Sequence, residues 1–223
     1  MTNSADAVEL IQSVEQADSP ARLVAAVRAL AAAKLEAGIP TLITVLGYNN
    51  PEAAGVALEG LIQLGEAAVP PILEQLDDYN YGARAYSFRA LSVIADPRAL
   101  DKLLNAAETD FAPSVRRAAA KGLGNLRWSK LPPEQRLLAQ ERSLKTLLLL
   151  SQDPDWAIRY AAVAGLQGLA TSEAISHPDL VSQILDRFHQ MAEADADLAI
   201  RARVWMAQQQ LQATNMNFPA LSS

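Results

Sequence analysis

A short frame of residues that occurs four times constrains the fold of this chain more than any other feature. In each copy an aspartate is followed six positions later by an arginine, and six positions after that by a small residue. The aspartates are Asp78, Asp110, Asp153 and Asp195, the arginines are Arg84, Arg116, Arg159 and Arg201, and the small residues are Ala90, Gly122, Gly165 and Ala207. Self-similarity of this kind is typical of repeat architectures, in which each unit buries its apolar face against its neighbours.

The segments around the frames predict a second helix in every repeat. Shorter amphipathic segments lie between the framed ones, and several begin with a proline, such as Pro40, Pro70 and Pro97. Proline is tolerated in the first turn of a helix, where its missing N–H has no partner to lose. No segment has the two-residue alternation of a strand. We predict an all-α fold, an α-solenoid of five to six short HEAT-like helical hairpins, with residues 1–214 as a single domain and 215–223 as a C-terminal tail.

Composition excludes several functional classes. The absence of cysteine excludes disulfides, thiolate metal sites and a cysteine nucleophile, and two histidines, His177 and His189, are too few for a typical zinc cluster, so no metal site is predicted. A net charge of −6 at pH 7 does not favour nucleic-acid binding. The apolar runs are shorter than the roughly 20 residues of a membrane span, and the N-terminus does not read as a signal peptide. We therefore expect an intracellular protein.

Recurrence separates structural residues from candidate functional ones. A residue that recurs in every copy is expected to serve the same structural purpose in every copy. The aspartates precede the framed helices, where a carboxylate can cap free amides and pair with an arginine of the same or the adjacent repeat. We therefore predict that the Asp/Arg series is a structural ladder and that the small residues are helix contacts.

Departures from the frame point to a binding surface. Aromatic and cationic side chains are added at the start of the framed helices, an edge that commonly lines the inner surface of solenoids. Two clusters result, one at Tyr79, Tyr81 and Arg84 and the other at Trp156, Arg159 and Tyr160. Together they predict a groove for a planar anionic molecule or for a protein surface. The alternative is that these aromatics fill gaps between alanine-rich helices.

Catalytic motifs of the common kinds do not occur in the sequence. There is no nucleophile elbow, no P-loop, no zinc-protease motif and no dinucleotide fingerprint. The residues alone therefore indicate a helical-repeat binding protein and leave its ligand open.

The chain resembles the phycobilisome lyase HEAT-like repeat family in three segments, 79–86, 114–128 and 153–162, and also in segment 45–51. The resemblance covers about residues 20–170, and the length and order of the segments are similar to those of the smaller, F-type (beta) subunits. It implies that the chain acts with an E-type (alpha) subunit to attach phycocyanobilin to a cysteine of the phycocyanin alpha subunit. A sister subunit that also isomerises the bilin carries an Asn-His-Cys-Gln-Gly-Asn motif. This chain lacks that motif, so plain lyase activity is implied.

The implied reaction needs no nucleophile from this chain, because the thiol belongs to the substrate protein. Arginines can clamp the bilin propionates, carboxylates can face the pyrrole nitrogens, and aromatic rings can stack on the flat face. The predicted bilin-binding residues are Tyr81, Arg84, Arg89, Arg116, Arg117, Trp156, Arg159 and Tyr160. Candidates for the carboxylate are Asp78, Asp110 and Asp155, and we predict Asp110 and Asp155 as catalytic acids. Phycocyanobilin is expected as a substrate, with no permanently bound cofactor.

Two other functions remain open. One is a non-catalytic repeat protein that binds phycobiliproteins or bilin during phycobilisome turnover or chromophore detachment, and the other is a scaffold without pigment. For the lyase subunit and for the non-catalytic binding protein, the resemblance implies a location in the cytoplasm of a phycobilisome-containing photosynthetic cell. A single open solenoid offers no complete constellation of acid, clamp and lid, so we expect the chain to be inactive alone.

The two ends of the chain differ in polarity. The N-terminal copies lack the charges of the frame, and part of their apolar content is expected to form a sticky end surface on which the partner subunit docks. The apolar residues concerned are Leu10, Ile11, Val14, Leu23, Val24, Val27, Leu30, Ile39, Leu42, Ile43 and Leu46. The C-terminal copy, with glutamines at 208–210, is expected to be a solvated cap.

Overall fold

A computed structural model of the protein describes residues 2–76, 79–172 and 177–217. Asp78 of the first frame and residues 218–223 lie outside the described residues. Within the described part of the chain all regular structure is helical, which confirms the predicted all-α class. The chain divides into two compact units, Met1–Ala99 and Leu100–Ser223. The single domain over residues 1–214 stays a prediction.

The first unit contains six α-helices in its described residues. They are α1 (Thr2–Glu15), α2 (Pro20–Ala33), α3 (Ile39–Val45), α4 (Pro51–Leu64), α5 (Val69–Glu74) and α6 (Tyr81–Ile94). Short 3₁₀ turns, Glu36–Gly38 and Gly65–Ala68, lead into α3 and α5. The side chains of Ser19, Asn50 and Asn80 cap α2, α4 and α6 by accepting hydrogen bonds from backbone amides.

Most of the residues named for an apolar end surface in the N-terminal copies pack inward, and docking of the partner subunit on this half stays a prediction. Of the eleven apolar residues named for it, Leu10, Ile11 and Leu23 are half-buried and the other eight are buried. The reason is their spacing, because residues three and four positions apart share one helix face. That face packs inward, since α2 contacts both α1 and α4 in this unit.

The segment Pro51–Glu74 is apolar and long enough to cross a membrane by length and composition. It is not one continuous helix, however. The chain leaves α4 at Gly65, whose φ of 62° lies in the left-handed region that favours glycine, and starts again at α5. Ala53, Leu61 and Ile72 of this segment are fully buried within the unit. These residues form part of its core.

The second unit repeats a helical hairpin three times. Its helices are α7 (Leu100–Thr109), α8 (Pro113–Asn125), α9 (Pro133–Leu150), α10 (Trp156–Ala170), α11 (Pro178–Ala194) and α12 (Leu198–Asn217). The even-numbered helices carry the frames, and α10 packs against both α8 and α12. Helix α12 runs to Asn217 and therefore extends into the segment predicted as a tail.

Small residues let α8 and α10 approach closely. A Cβ atom added at Gly165 would overlap the carbonyl oxygen of Ala120, and one added at Gly124 would overlap the backbone of Gly165. One at Gly168 would lie 2.8 Å from the carbonyl oxygen of Gly124. The prediction that the small frame residues are helix contacts is confirmed at Gly165.

Candidate functional site

The Asp/Arg series of the second unit forms a ladder that joins each framed helix to the next repeat. Arg159 donates from Nε and Nη2 to the two carboxylate oxygens of Asp195, both at 2.9 Å. One repeat earlier, Nη2 of Arg116 lies 2.7 Å from Oδ2 of Asp153. The predicted ladder is confirmed for Arg116 and Arg159, and the partner of each is the aspartate of the following repeat.

Each ladder aspartate also orders the turn before a framed helix. Oδ1 of Asp195 accepts from the amide of Asp197 at 2.9 Å, and Oδ1 of Asp153 accepts from the amide of Asp155 at the same distance. The pKa of Asp195 is lowered: burial acts to raise it, but the hydrogen bonds from Arg159 and Asp197 and the charges of Arg159 and Arg187 outweigh burial. The carboxylate is therefore held in its charged form by the fold.

The two predicted catalytic acids both take part in turns. Oδ1 of Asp155 accepts from the amide of Ala157 at 2.8 Å and caps α10, and the residue is half-buried. Oδ1 of Asp110 accepts from the amide of Ala112 at 2.8 Å, just before α8. One oxygen of each carboxylate thus has a structural hydrogen bond. Their assignment as acids stays a prediction.

The predicted arginine ligands fall into two groups. Arg116 and Arg159 are committed to the ladder, and Arg84 is buried at 5% exposure with an interaction partner. Arg89 is exposed on α6, where its guanidinium carbon lies 5.3 Å from the centroid of the Tyr86 ring. Arg117 is half-buried on α8. The second group is better placed than the first to meet a ligand carboxylate.

Exposed apolar side chains mark the start of the framed helices in both units. Tyr81 begins α6 and Trp156 begins α10, and these side chains are 58% and 51% exposed. The gap-filling alternative is wrong for these two residues, because more than half of the surface of each is exposed. Trp128, which lies outside the two clusters, is buried at 1% exposure.

A polar cluster between α10 and α12 surrounds the predicted ligand Tyr160. The guanidinium carbon of Arg203 lies 5.7 Å from the centroid of the Tyr160 ring, and Nη2 of Arg203 donates to Oε1 of Gln167 at 2.6 Å. Nε2 of Gln167 in turn donates to Oε1 of Gln210. Burial lowers the pKa of Arg203, since among the described residues no carboxylate lies within ion-pair distance of it.

Sequence reasoning missed Arg203, although the signal was present. Two positions after the frame arginine the four copies have Tyr86, Ala118, Ala161 and Arg203. Tyr86 stands out as a departure in this column, and Arg203 departs in the same way. The rule that departures mark candidate ligands therefore selects both residues.

A groove of about 1010 Å³ lies among α7, α9 and α11, the unframed helices of the second unit. None of the predicted site residues line it. Its lining carries four carboxylates, Asp101, Glu108, Glu141 and Asp179, against two cations, Arg142 and Lys145, and Arg142 pairs with Asp101 at 2.8 Å. Because this excess of negative charge does not favour an anionic ligand, we place the candidate site on the framed helices.

The fold and the exposed starts of the framed helices define the class of this protein. It is a helical-repeat protein that presents arginines and aromatic rings from the starts of its framed helices. A family model of HEAT repeats matches residues 39–124 and 69–167. A relative named phycocyanobilin lyase subunit beta, from Nostoc sp., is 59% identical over 91% of this chain and 98% of its own length. The chain belongs to this family of phycocyanobilin lyase beta subunits.

Two further comparisons agree. The phycocyanin alpha phycocyanobilin lyase CpcF of Synechocystis sp. is 57% identical over 72% of this chain and 75% of its own length. In the solved complex of CpcE and CpcF of phycocyanin lyase from Nostoc sp., one chain is 60% identical and superposes with a TM-score of 0.73, covering 77% of this chain and 98% of that one.

Proposed function

We propose that this chain is the beta subunit of a phycocyanobilin lyase. Together with an E-type (alpha) subunit it joins phycocyanobilin through a thioether to a cysteine of the phycocyanin alpha subunit, in the cytoplasm of a phycobilisome-containing cell. The observation that carries the proposal is the 59% identity to a lyase beta subunit over almost the whole chain. Bilin is the substrate and leaves with the product, so no permanently bound cofactor is required.

The chemistry is an addition that loses no atoms and oxidises nothing. The cysteine sulfur bonds to one carbon of the bilin's ethylidene double bond, and a proton is delivered to the other carbon. The subunit need only hold the tetrapyrrole, keep its reactive carbon in line with the thiol, and exclude competing additions. A chain without cysteine is suited to this task, because it has no thiol of its own to react.

The cluster around Tyr160 supports a binding role on the framed helices of the second unit. Arg203 is a desolvated cation that already lies over an aromatic ring, and a propionate of the bilin would compensate its charge. Trp156 precedes Tyr160 by one helical turn and offers an exposed ring for stacking. Arg117 on α8 is the candidate for the other propionate. Arg116 and Arg159 then serve by holding the framed helices in register.

The first unit supplies the remaining predicted ligands. Tyr81 is exposed at the start of α6, and Arg89 is exposed on the same helix beside Tyr86. An exposed arginine beside a tyrosine offers a cation to a carboxylate and an aromatic face to a planar ring. We propose that these residues form a second bilin-binding cluster, on the first unit.

We expect the proposed subunit to be inactive alone, because it acts together with an E-type subunit and because Asp110 and Asp155 each already use one carboxylate oxygen to order a turn. The test is reconstitution of apo-phycocyanin alpha subunit with phycocyanobilin, with this chain, with the E-type subunit, or with both. Covalent pigment is measured by fluorescence in a denaturing gel. We expect attachment only in the mixture. Attachment by this chain alone at the rate of the mixture contradicts the need for a partner, and loss of pigment from holo-phycocyanin favours the detachment alternative.

A further inference from the structure

The C-terminal copy is polar at its glutamines but not over the whole of its surface. Gln209 and Gln210 are exposed, as the predicted solvated cap requires, but Leu198 and Trp205 are also exposed, at 69% and 61%. The cap is therefore polar only in part. Gln210 also connects α12 to the candidate site, because its Oε1 accepts a hydrogen bond from Nε2 of Gln167 on α10.

Gln167 fixes the orientation of Arg203 in the cluster around Tyr160. Nη2 of Arg203 donates to Oε1 of Gln167 at 2.6 Å. Because a guanidinium has only donors, the amide oxygen of Gln167 has to face it, and the amide nitrogen then donates to Gln210. Tyr160 and Gln167 lie seven positions apart on one face of α10, so Arg203 contacts the ring and the amide together.

The acceptor is a neutral amide, which distinguishes Arg203 from the ladder arginines. Arg159 binds the carboxylate of Asp195 through Nε and Nη2 and two carbonyl oxygens through Nη1, so its charge and its donors are satisfied within the fold. Among the described residues, the bond to Gln167 is the one hydrogen bond that the Arg203 side chain makes, and no carboxylate lies within ion-pair distance. The half-buried guanidinium is therefore held in place while its charge and most of its donors stay available.

Packing of one framed helix on the next does not itself require a glutamine at position 167. The equivalent position of α8, eight residues after the frame arginine, is Gly124, where a Cβ atom would overlap the backbone of α10. A residue without a side chain therefore suffices at this position, and Gln167 departs from it. Since departing residues mark the candidate site, Gln167 is a candidate for a role beyond packing.

We infer that Gln167 is a positioning and specificity-determining residue of the bilin site, whose neutral amide holds Arg203 beside Tyr160 and leaves the guanidinium charge for a propionate of the bilin. The inference rests on the proposed function, which supplies the bilin. A hydrogen bond to an ionised carboxylate is stronger than one to a neutral ester, so the site prefers phycocyanobilin over its dimethyl ester. Gln167→Glu keeps the hydrogen bond to Arg203 but compensates the charge inside the fold, and this preference then decreases.

The experiment measures the affinities of the lyase complex for phycocyanobilin and for its dimethyl ester by absorbance titration. We expect the wild-type complex to bind the acid at least about tenfold more tightly than the ester. Gln167→Glu should reduce this preference at least about fivefold, because the new carboxylate takes the place of the propionate at Arg203. Gln190→Glu is the matched control and should keep the preference, since Gln190 accepts from Arg187 at 3.2 Å on α11, outside the cluster around Tyr160.

A second variant separates this role from a purely structural one. Gln167→Leu removes the acceptor and leaves Arg203 charged but free to move, so its affinity for the acid should lie between those of wild type and Gln167→Glu. If Gln167 only links α10 to α12, the order is reversed, because Gln167→Glu keeps the link and Gln167→Leu breaks it. In an Arg203→Ala background, Gln167→Glu should cause no further loss of preference. Thermal melts check that every variant is folded.

The outcomes separate this inference from the proposed function. A wild-type preference for the acid in Gln167→Glu, in a complex that still attaches bilin to apo-phycocyanin, overturns the role of Gln167 and leaves the lyase proposal standing. An equal loss of preference in Gln190→Glu also overturns it, in favour of a general effect of added charge. A wild-type complex that binds neither the acid nor the ester and attaches no pigment contradicts the proposed function itself.

Discussion

Arg159 on α10 holds both carboxylate oxygens of Asp195, which lies 36 positions later in the turn before α12. The remaining bonds of the same guanidinium run from Nη1 to the carbonyl oxygens of Asp153 and Pro154, at 2.9 and 3.2 Å. One side chain therefore ties the turn that precedes its own helix to the turn that precedes the next framed helix. The hydrogen bonds that Arg159 donates to Asp195 raise the pKa of Arg159 against the opposing effect of burial.

This pair predicts how stability depends on pH. The folded-state pKa of Asp195 lies below its ordinary value of 3.8, so the unfolded chain binds its proton more readily. The stabilisation is therefore present at a pH above the ordinary value and is lost as the pH falls through the folded-state pKa. In urea unfolding between about pH 2 and pH 7, we expect the difference in free energy of unfolding between wild type and Asp195→Asn to be largest above about pH 5. The exposed Asp186→Asn is the control, and a difference that grows toward acid pH contradicts the assignment.

An ion pair of the ladder is expected to contribute more to the free energy of unfolding than an exposed ion pair does. Arg116→Ala leaves the carboxylate of Asp153, which is 9% exposed, without its cation, and should lower the free energy of unfolding by about 1–3 kcal/mol. Asp110→Ala removes a turn cap and should cost about 0.5–2 kcal/mol. Arg142→Ala breaks the exposed pair with Asp101 and should cost about 0–1 kcal/mol. Denaturant melts compare the three variants, and equal losses for Arg116→Ala and Arg142→Ala are the contrary outcome.

Two glycine substitutions should change stability in opposite directions. Gly165→Ala places a methyl group against the backbone of α8 and should destabilise by about 1–3 kcal/mol through overpacking. Gly55→Ala, inside α4, meets nothing within 4 Å and should stabilise by about 0.5–1 kcal/mol through helix propensity. The midpoint of thermal unfolding reports both, and a neutral Gly165→Ala is inconsistent with a close α8–α10 crossing.

The frame predicted the repeats, the ladder and the tight helix contacts, because recurrence in sequence reflects recurrence in packing. Spacing alone left open whether Arg159 pairs with Asp153 of its own repeat or with Asp195 of the next, since both aspartates were expected to lie near it. The structure resolves this, because the bidentate contact with Asp195 crosses to the next repeat. Polarity at the chain ends could not be predicted from residue counts, because it depends on which helix face each residue occupies.

The candidate site was predicted only in part, for a related reason. Tyr81 and Trp156 are exposed as their positions at helix starts suggest, but Arg116 and Arg159 are recurring residues whose guanidiniums are bonded to the ladder. Arg117 and Tyr160 depart from the frame and are therefore better candidate ligands than those two recurring arginines. Arg203 departs from the frame in the same way and joins them.

Arg117 and the cluster around Tyr160 are expected to bind the bilin. Arg117→Ala, Tyr160→Ala and Arg203→Ala should each weaken the affinity of the lyase complex for phycocyanobilin by about 0.5–2 kcal/mol, the range for a cation–π or stacking contact. Tyr160→Phe keeps the ring beneath Arg203 and should bind like wild type, whereas Arg203→Lys keeps the charge without the planar fork and should recover only part of the loss. Absorbance titrations with free bilin measure the affinity, and thermal melts run beside them. Since Arg117 and Tyr160 lie outside the ladder, these variants should melt closer to wild type than Arg116→Ala does. Unchanged bilin affinity combined with a large loss of stability would mean that the cluster is structural and that the departing residues do not mark the ligand site.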